Sequence, residues 1–283
     1  MADKKKDCDC CDDCSGSGCG CCDDCAPRMP MIGEPAPAFK ANTTQGPINF
    51  PADYEGKWII LFSHPADFTP VCTTEFMTFG SMAEEFEALN VQLVGLSVDS
   101  IYAHIAWLRK IQDIKWKKMK NIEVKFPLIE DIKMDVSRKY GMVQSSVSDT
   151  QAVRSVFFID PKGIIRAMIY YPPSLGRNFD EIKRVILALQ KADKENVATP
   201  ADWRPGMDVI LPAPGSCGTA KDRVEDKKEG QICYDWFLCF RKDTDAPAKA
   251  KRGPKPGTRK AAAKPAAKTA KKAPAKKSPA KKA

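Results

Sequence analysis

The two ends of this chain cannot contribute to a hydrophobic core. Residues 1–27 and 246–283 contain no Val, Ile, Leu, Phe, Trp or Tyr, so whatever folds by burying apolar surface must lie between them. The first segment carries three Lys and seven Asp, and the last carries fourteen Lys or Arg and no acid, net charges of −4 and +14. Since the whole chain carries +9, the stretch between them is left at −1. The basic balance therefore belongs to the tail. The middle, about 218 residues, is long enough to bury a core of its own.

Four segments follow from this division: a Cys-rich stretch over 1–27, a main domain over 28–195, a small C-terminal arm over 196–245, and a Lys/Ala/Pro tail over 246–283. After an irregular, proline-rich lead-in, short apolar runs alternate with amphipathic stretches. "WIILFS", "VQLVGLSVD" and "VRSVFFID" read as buried strands, and residues 73–89 and 101–111 as helices. "DPKG" at 160–163 predicts a turn into a returning strand, "IIRAMIYYP", and Asn178 caps a helix with Ile182, Val185, Ile186 and Leu189 on one face. Alternating strands and helices indicate an α/β layer fold. Beyond Asp193 the sequence turns Pro- and Gly-rich, so an appended arm is expected there, with Cys217 in a loop and "QICYDWFLCFRK" supplying one aromatic strand.

No apolar run reaches the roughly 20 residues of a membrane span, and the acidic N-terminus is unlike a secretory signal. The expected location is cytoplasmic, with no membrane partner. Clustered cysteines there point to metal or redox chemistry before structural disulfides.

One of the twelve cysteines stands apart. In "FSHPADFTPVCTTEF" a strand ends near Ser63 and a helix begins near Cys72, which puts the sulfur at a helix N-terminus, where free N–H groups and the dipole favour a thiolate. Thr69 can bring a hydroxyl beside it, while Pro65 and Pro70 stiffen the loop. His64 is the one neighbouring group able to carry positive charge, so a distant arginine is needed to complete the pocket. Thiolate formation alone supplies little. Taking a thiol from about 8.5 to about 6 gains roughly 30-fold in thiolate at pH 7 and returns roughly 10-fold in nucleophilicity. A fast cysteine must gain its rate from fixed donors that stabilise charge moving onto a leaving oxygen. A cysteine hydrolase using Cys72 and His64 is the competing enzymatic reading, but neither an orienting third group nor an oxyanion hole is visible.

The loop "PADFTPVCTTE" resembles the active-site loop of the peroxiredoxins, with Pro65, Thr69 and Cys72 meeting its P-x-x-x-T-x-x-C pattern. The resemblance runs from about residue 31 to 242 and, through "RSVFFIDPKGIIR", "YPPSLGRNFDEI" and "VATPADW", is closest to the one-cysteine subfamily. It implies a thioredoxin-like fold with a small C-terminal arm domain, and a thiolate that attacks a hydroperoxide and becomes a sulfenic acid. It further implies a peroxidase with no cofactor, reduced by a thiol system such as thioredoxin or glutathione, assembled as a homodimer or a decameric ring.

Carried over position by position, Cys72 is the nucleophile, Thr69 bonds peroxide and sulfur, Pro65 shields the pocket, and Arg154 holds the thiolate and polarises the peroxide. Glu75 orients that arginine, His64 lines the pocket, and Arg177 belongs to an outer charged layer. "CYDWFLC" is similar to the C-terminal cysteine pair of archaeal-type members, which implies that Cys239 resolves the sulfenate of a partner subunit and that Cys233 exchanges with it. Inert thiols of an aromatic cluster are the plain alternative for that pair. Some relatives also have a phospholipase serine before the active-site strand; "YEGKWIILFSH" has none there, so lipase activity is not expected.

The N-terminal segment repeats C-x-C-C-x-x-C, as Cys8, Cys10, Cys11 and Cys14, then Cys19, Cys21, Cys22 and Cys25. Such spacing resembles metallothionein clusters and suits Zn or Cu(I); disulfides or a sacrificial thiol store are the alternatives. The tail resembles the C-terminal domain of H1-type histones and fits non-specific DNA binding, with nucleoid association, where a solubility tail is the plain reading. A rival from another class also stands: a nucleic-acid- or metal-binding protein that uses a peroxiredoxin core as an oligomeric scaffold or chaperone.

Overall fold

The computed structural model describes residues 28–225 and 229–243, so the eight N-terminal cysteines and the basic tail lie outside the described residues. The main sheet contains β1 (Phe39–Thr43), β2 (Gly46–Phe50), β3 (Trp58–Ser63), β4 (Val91–Ser97), β5 (Leu128–Glu130), β6 (Arg154–Ile159) and β7 (Ile165–Tyr171). Their order is β2-β1-β5-β4-β3-β6-β7. Helices α1 (Pro70–Ala88), α2 (Ile101–Asp113), α3 (Asp135–Lys139), α4 (Phe179–Glu195) and α5 (Cys217–Glu225) alternate with the strands.

β3 shows why the sheet is layered. All six of its residues are buried, and their side chains alternate between faces. Ile60 and Phe62 join Cys72, Phe76 and Phe79 of α1, Trp107 and Ile111 of α2, and Ile182 and Ile186 of α4. Ile59 and Leu61 join Phe50, Val136 and Tyr140 on the opposite face. Each such Ile, Leu or Phe contributes about 1.5–3 kcal/mol on burial, so a one-residue slip of β3 would exchange both faces at once.

The β6–β7 hairpin turns as expected at 160–163: Gly163 N–H donates to the Asp160 carbonyl at 2.8 Å, and Asp160 Oδ1 accepts from Lys162 and Ile164 N–H. Asn178 Oδ1 accepts from Glu181 N–H and caps α4. The β1–β2 hairpin has no counterpart in the sequence reading, because these strands are only half-buried and carry a weak apolar pattern.

Three local expectations need correction. α1 begins at Pro70, not at residue 73, since a proline is tolerated at the first helical position, where its missing N–H is not needed. "QICYDWFLCFRK" is two strands, β9 (Gln231–Asp235) and β10 (Leu238–Arg241), which turn at Trp236 and Phe237. Cys217 opens α5 and does not lie in a loop. β9 and β10 form a separate small sheet with β8 (Val209–Ile210). Trp203 seats this arm: it is buried with Val197 and Val209 against Leu187 and Ala188 of α4.

Candidate active site

α1 presents Cys72, Glu75, Phe76 and Phe79 on one buried face, at helical spacings of three, four and seven. Cys72 is the third residue of the helix. Thr69 occupies the cap position without a side-chain cap bond, because its hydroxyl donates to the Ala66 carbonyl at 2.9 Å. The first-turn N–H groups of Val71 and Cys72 are therefore not taken by the Thr69 side chain. Pro65 is buried in the same loop, and Phe68, exposed, adopts a positive φ of 56°.

The distant arginine is Arg154, at the start of β6. Its Nη1 donates to Cys72 Sγ at 3.2 Å and to Glu75 Oε2 at 2.8 Å. Nε and Nη2 both donate to the Pro173 carbonyl, at 3.0 and 2.8 Å. The guanidinium is thus held on two sides and aims one nitrogen at the sulfur. Arg177 approaches Glu75 from behind: its backbone N–H donates to Oε1 at 2.8 Å and its Nη1 to Oε2 at 3.1 Å. Arg177 Nη2 also donates to the Ser63 and Ser155 carbonyls. Burial pushes the Arg177 guanidinium below its ordinary range, and the Glu75 carboxylate opposes that shift. Two guanidinium charges against one carboxylate leave one positive charge beside the sulfur.

His64 is fully buried, but its hydrogen bond goes to Asp67 Oδ1, at 2.9 Å, and its ring packs on Phe76 and Trp107. Among the described residues Cys72 Sγ has Arg154 as its hydrogen-bonding partner. The structure therefore gathers Cys72, Glu75, Arg154 and Arg177 around the sulfur, and places Thr69, Pro65 and His64 in the loop that leads into it.

Several participants are absent from the sequence reading. The Pro173 carbonyl is one, and a backbone oxygen has no sequence signature. Asp67 and His104 are others, although His104 is one of only two histidines in the chain. Asp67 Oδ2 lies 2.7 Å from His104 Nδ1.

The second pair of expected redox residues is in the arm. Cys239 is buried, faces Cys233 across the β9–β10 hairpin with a Cα–Cα distance of 4.0 Å, and is joined to it by a disulfide. Cys72 and Cys217 are free thiols.

The AhpC/TSA family model matches residues 32–168, and the C-terminal domain of 1-Cys peroxiredoxin matches residues 188–227. A peroxiredoxin of Methanosarcina mazei is 62% identical over 217 residues, which is 76% of this chain and 99% of that one. The chain belongs to the peroxiredoxin family. A peroxiredoxin of Aquifex aeolicus is 52% identical over 224 residues, covering 76% of this chain and 97% of that relative.

Among solved structures, the yeast mitochondrial 1-Cys peroxiredoxin, described with a thiol-resolving mechanism via glutathione/thioredoxin systems, has a TM-score of 0.66 and 42% identity over 76% of this chain and 100% of its own. Peroxiredoxin 6 of Arenicola marina has a TM-score of 0.63 and 32% identity, over 75% of this chain and 97% of its own. The fold is thus the thioredoxin-like peroxiredoxin fold with a C-terminal extension, and this peroxiredoxin is a thiol-dependent peroxidase. No helix among the described residues is long and apolar enough to cross a membrane.

Proposed function

We propose that this peroxiredoxin reduces hydrogen peroxide and small organic hydroperoxides at Cys72. The observation that carries the reading is the single Arg154 nitrogen shared between Cys72 Sγ and Glu75 while the rest of the guanidinium is anchored on Pro173. The thiolate attacks the terminal peroxide oxygen, an S–O bond forms, and the O–O bond breaks. The departing oxygen takes up the proton lost by the thiol and leaves as water or an alcohol, and Cys72 remains as a sulfenic acid. Negative charge moves from sulfur to the leaving oxygen, so a donor already fixed beside both lowers the barrier without reorganising. The lone pairs of the Thr69 hydroxyl can accept the peroxide O–H, and Pro65 closes the loop against water.

Resolution is read as follows. The thiol of Cys239 of the partner subunit attacks the sulfenic sulfur, water leaves, and an intersubunit disulfide forms. Exchange with Cys233 then frees Cys72 and joins Cys233 to Cys239. One thioredoxin-type dithiol, or two glutathione thiols that leave as their disulfide, restores both. Support comes from the oxidised Cys233–Cys239 pair beside a free Cys72, the product such a relay would leave. A dimer, or a ring of dimers, is required by the intersubunit step.

The terminal segments add binding to catalysis. Cys8, Cys10, Cys11, Cys14, Cys19, Cys21, Cys22 and Cys25 would hold Zn or Cu(I) as shared thiolates. The fourteen cations of residues 246–283 would hold DNA by phosphate contacts, keeping peroxide removal near the nucleoid in the cytoplasm. Equal zinc content with and without residues 1–27 refutes the first reading. DNA retention that is unchanged by deleting 246–283, or that does not weaken with salt, refutes the second.

The deciding experiment for the site is stopped-flow oxidation of the reduced full chain by hydrogen peroxide, beside Cys72→Ser, followed by mass spectrometry. Fast oxidation confined to Cys72 is expected. Slow oxidation spread over the N-terminal thiols and indifferent to Cys72→Ser would overturn the assignment.

A further inference from the structure

The chain has two histidines, and both are bound to one buried carboxylate. Asp67 belongs to the loop between β3 and α1, two residues after Pro65 and two before Thr69. His64 reaches it from the end of β3 and His104 from the buried face of α2. The Asp67 backbone N–H donates to Asp99 Oδ2 at 2.9 Å, and the same oxygen accepts from Ser97 Oγ at 2.8 Å. One side chain and one amide thus tie the loop to α2 and to the segment that follows β4.

The proton inventory of this cluster follows from valence. His104 Nε2 lies 3.1 Å from the Ile129 carbonyl, which can only accept, so Nε2 carries a proton. The other ring nitrogen, Nδ1, lies 2.7 Å from Asp67 Oδ2. Two bare lone pairs at that distance would repel, so a second proton sits between them. Burial would raise the Asp67 carboxyl, but the bonds from His104 and His64 outweigh it and hold the group below its ordinary range. Asp67 Oδ1 is then also an acceptor, which places the His64 proton on Nε2. Burial pushes the His64 imidazole below its usual range, so it keeps that one proton. Its Nδ1 is left bare, buried and without a partner.

We propose that His104 is a positioning residue for the Cys72 loop: with Nε2–H on the Ile129 carbonyl and a second proton bridging Nδ1 and Asp67 Oδ2, it clamps Asp67 from α2, and Asp67 in turn fixes His64 as the Nε2–H tautomer. The clamp holds the stretch that carries Pro65 and Thr69 in register with the start of α1. It goes beyond the peroxidase reading, and its first readout does not depend on that reading.

The test is ¹⁵N-histidine labelling of the full chain and long-range proton–nitrogen correlation at pH 7. His104 Nε2 and His64 Nε2 are expected to be protonated and His64 Nδ1 unprotonated. His104→Gln should turn the His64 pattern into a mixture of tautomers and slow Cys72 oxidation by about tenfold or more, the scale of a misplaced reacting group. Trp107→Phe, which alters packing on the same ring without touching its hydrogen bond, should leave the His64 tautomer as it is. A wild-type spectrum with an unprotonated His104 Nε2 overturns the proposal, and so does a His64 pattern unchanged in His104→Gln. The wild-type spectrum decides even where the variant fails to fold.

Discussion

Glu75 and Arg154 form a 2.8 Å ion pair in which both side chains are almost wholly buried, and the guanidinium nitrogen that makes it is the one facing Cys72. Glu75 also holds Arg177, so this carboxylate compensates two buried cations. Glu75→Gln should destabilise the protein by about 3–5 kcal/mol, the cost of leaving a buried charge without its partner. Urea or guanidinium unfolding measures this directly. A loss under about 1 kcal/mol would mean that water or another acid replaces the carboxylate.

Arg154→Lys keeps the charge and loses the fork. An ammonium cannot bond Pro173 through two nitrogens while offering a third donor to both Glu75 and Cys72. The second-order rate of Cys72 oxidation should fall by about 10²–10³, the usual size of one fixed transition-state donor. Stopped-flow measurement at matched pH tests it, and a rate within twofold of wild type would show that charge alone suffices.

His64 and Asp67 give stability a definite pH dependence. His64 is neutral in the folded chain because burial lowers its proton affinity, whereas in the unfolded chain it takes a proton below about 6.5. The unfolded state then binds more protons, so stability falls as pH drops below that value, by up to about 1.4 kcal/mol per pH unit for one proton. The Asp67 contribution is present above the ordinary carboxylate range and is lost as pH falls through its lower folded value. Unfolding midpoints from pH 8 to 5 should decline more steeply for wild type than for His64→Gln. Parallel curves would show that His64 is not the source.

The arm depends on one side chain. Trp203 fills the contact between the arm and α4, so Trp203→Ala should cost about 3–5 kcal/mol and expose the segment after α4 to limited proteolysis. An unchanged cleavage pattern would mean that the small sheet is held in place by other contacts.

Cys239→Ser separates the two roles of the arm cysteines. In the resolving scheme it abolishes the Cys72-dependent covalent dimer on non-reducing gels while leaving the first oxidation of Cys72 at its normal rate. Persistence of that dimer would assign resolution to another thiol, with the exposed Cys217 next to be tested.

Local order was legible because it is written at short range. The apolar run of β3, the Asp160 turn and the Asn178 cap each depend on residues a few positions apart, although α1 starts three residues earlier than the sequence predicts. Short-range order likewise puts Cys72 near a helix start, whereas Glu75 entered only through the peroxiredoxin resemblance. The residues alone stated that an arginine was missing, and the peroxiredoxin resemblance pointed to Arg154. What brings it there is the register of β3 against β6. Phe62 pairs with Val156, so Arg154, two residues further, arrives at the end of β3 where the Cys72 loop begins. His104 and the Pro173 carbonyl became visible only in the same way, because His104 meets Asp67 of the loop from 37 residues away and the Pro173 carbonyl meets Arg154 from 19. Periodicity tells which face of an element is buried. Strand order and register decide what that face meets, and here they decide which charges surround the sulfur.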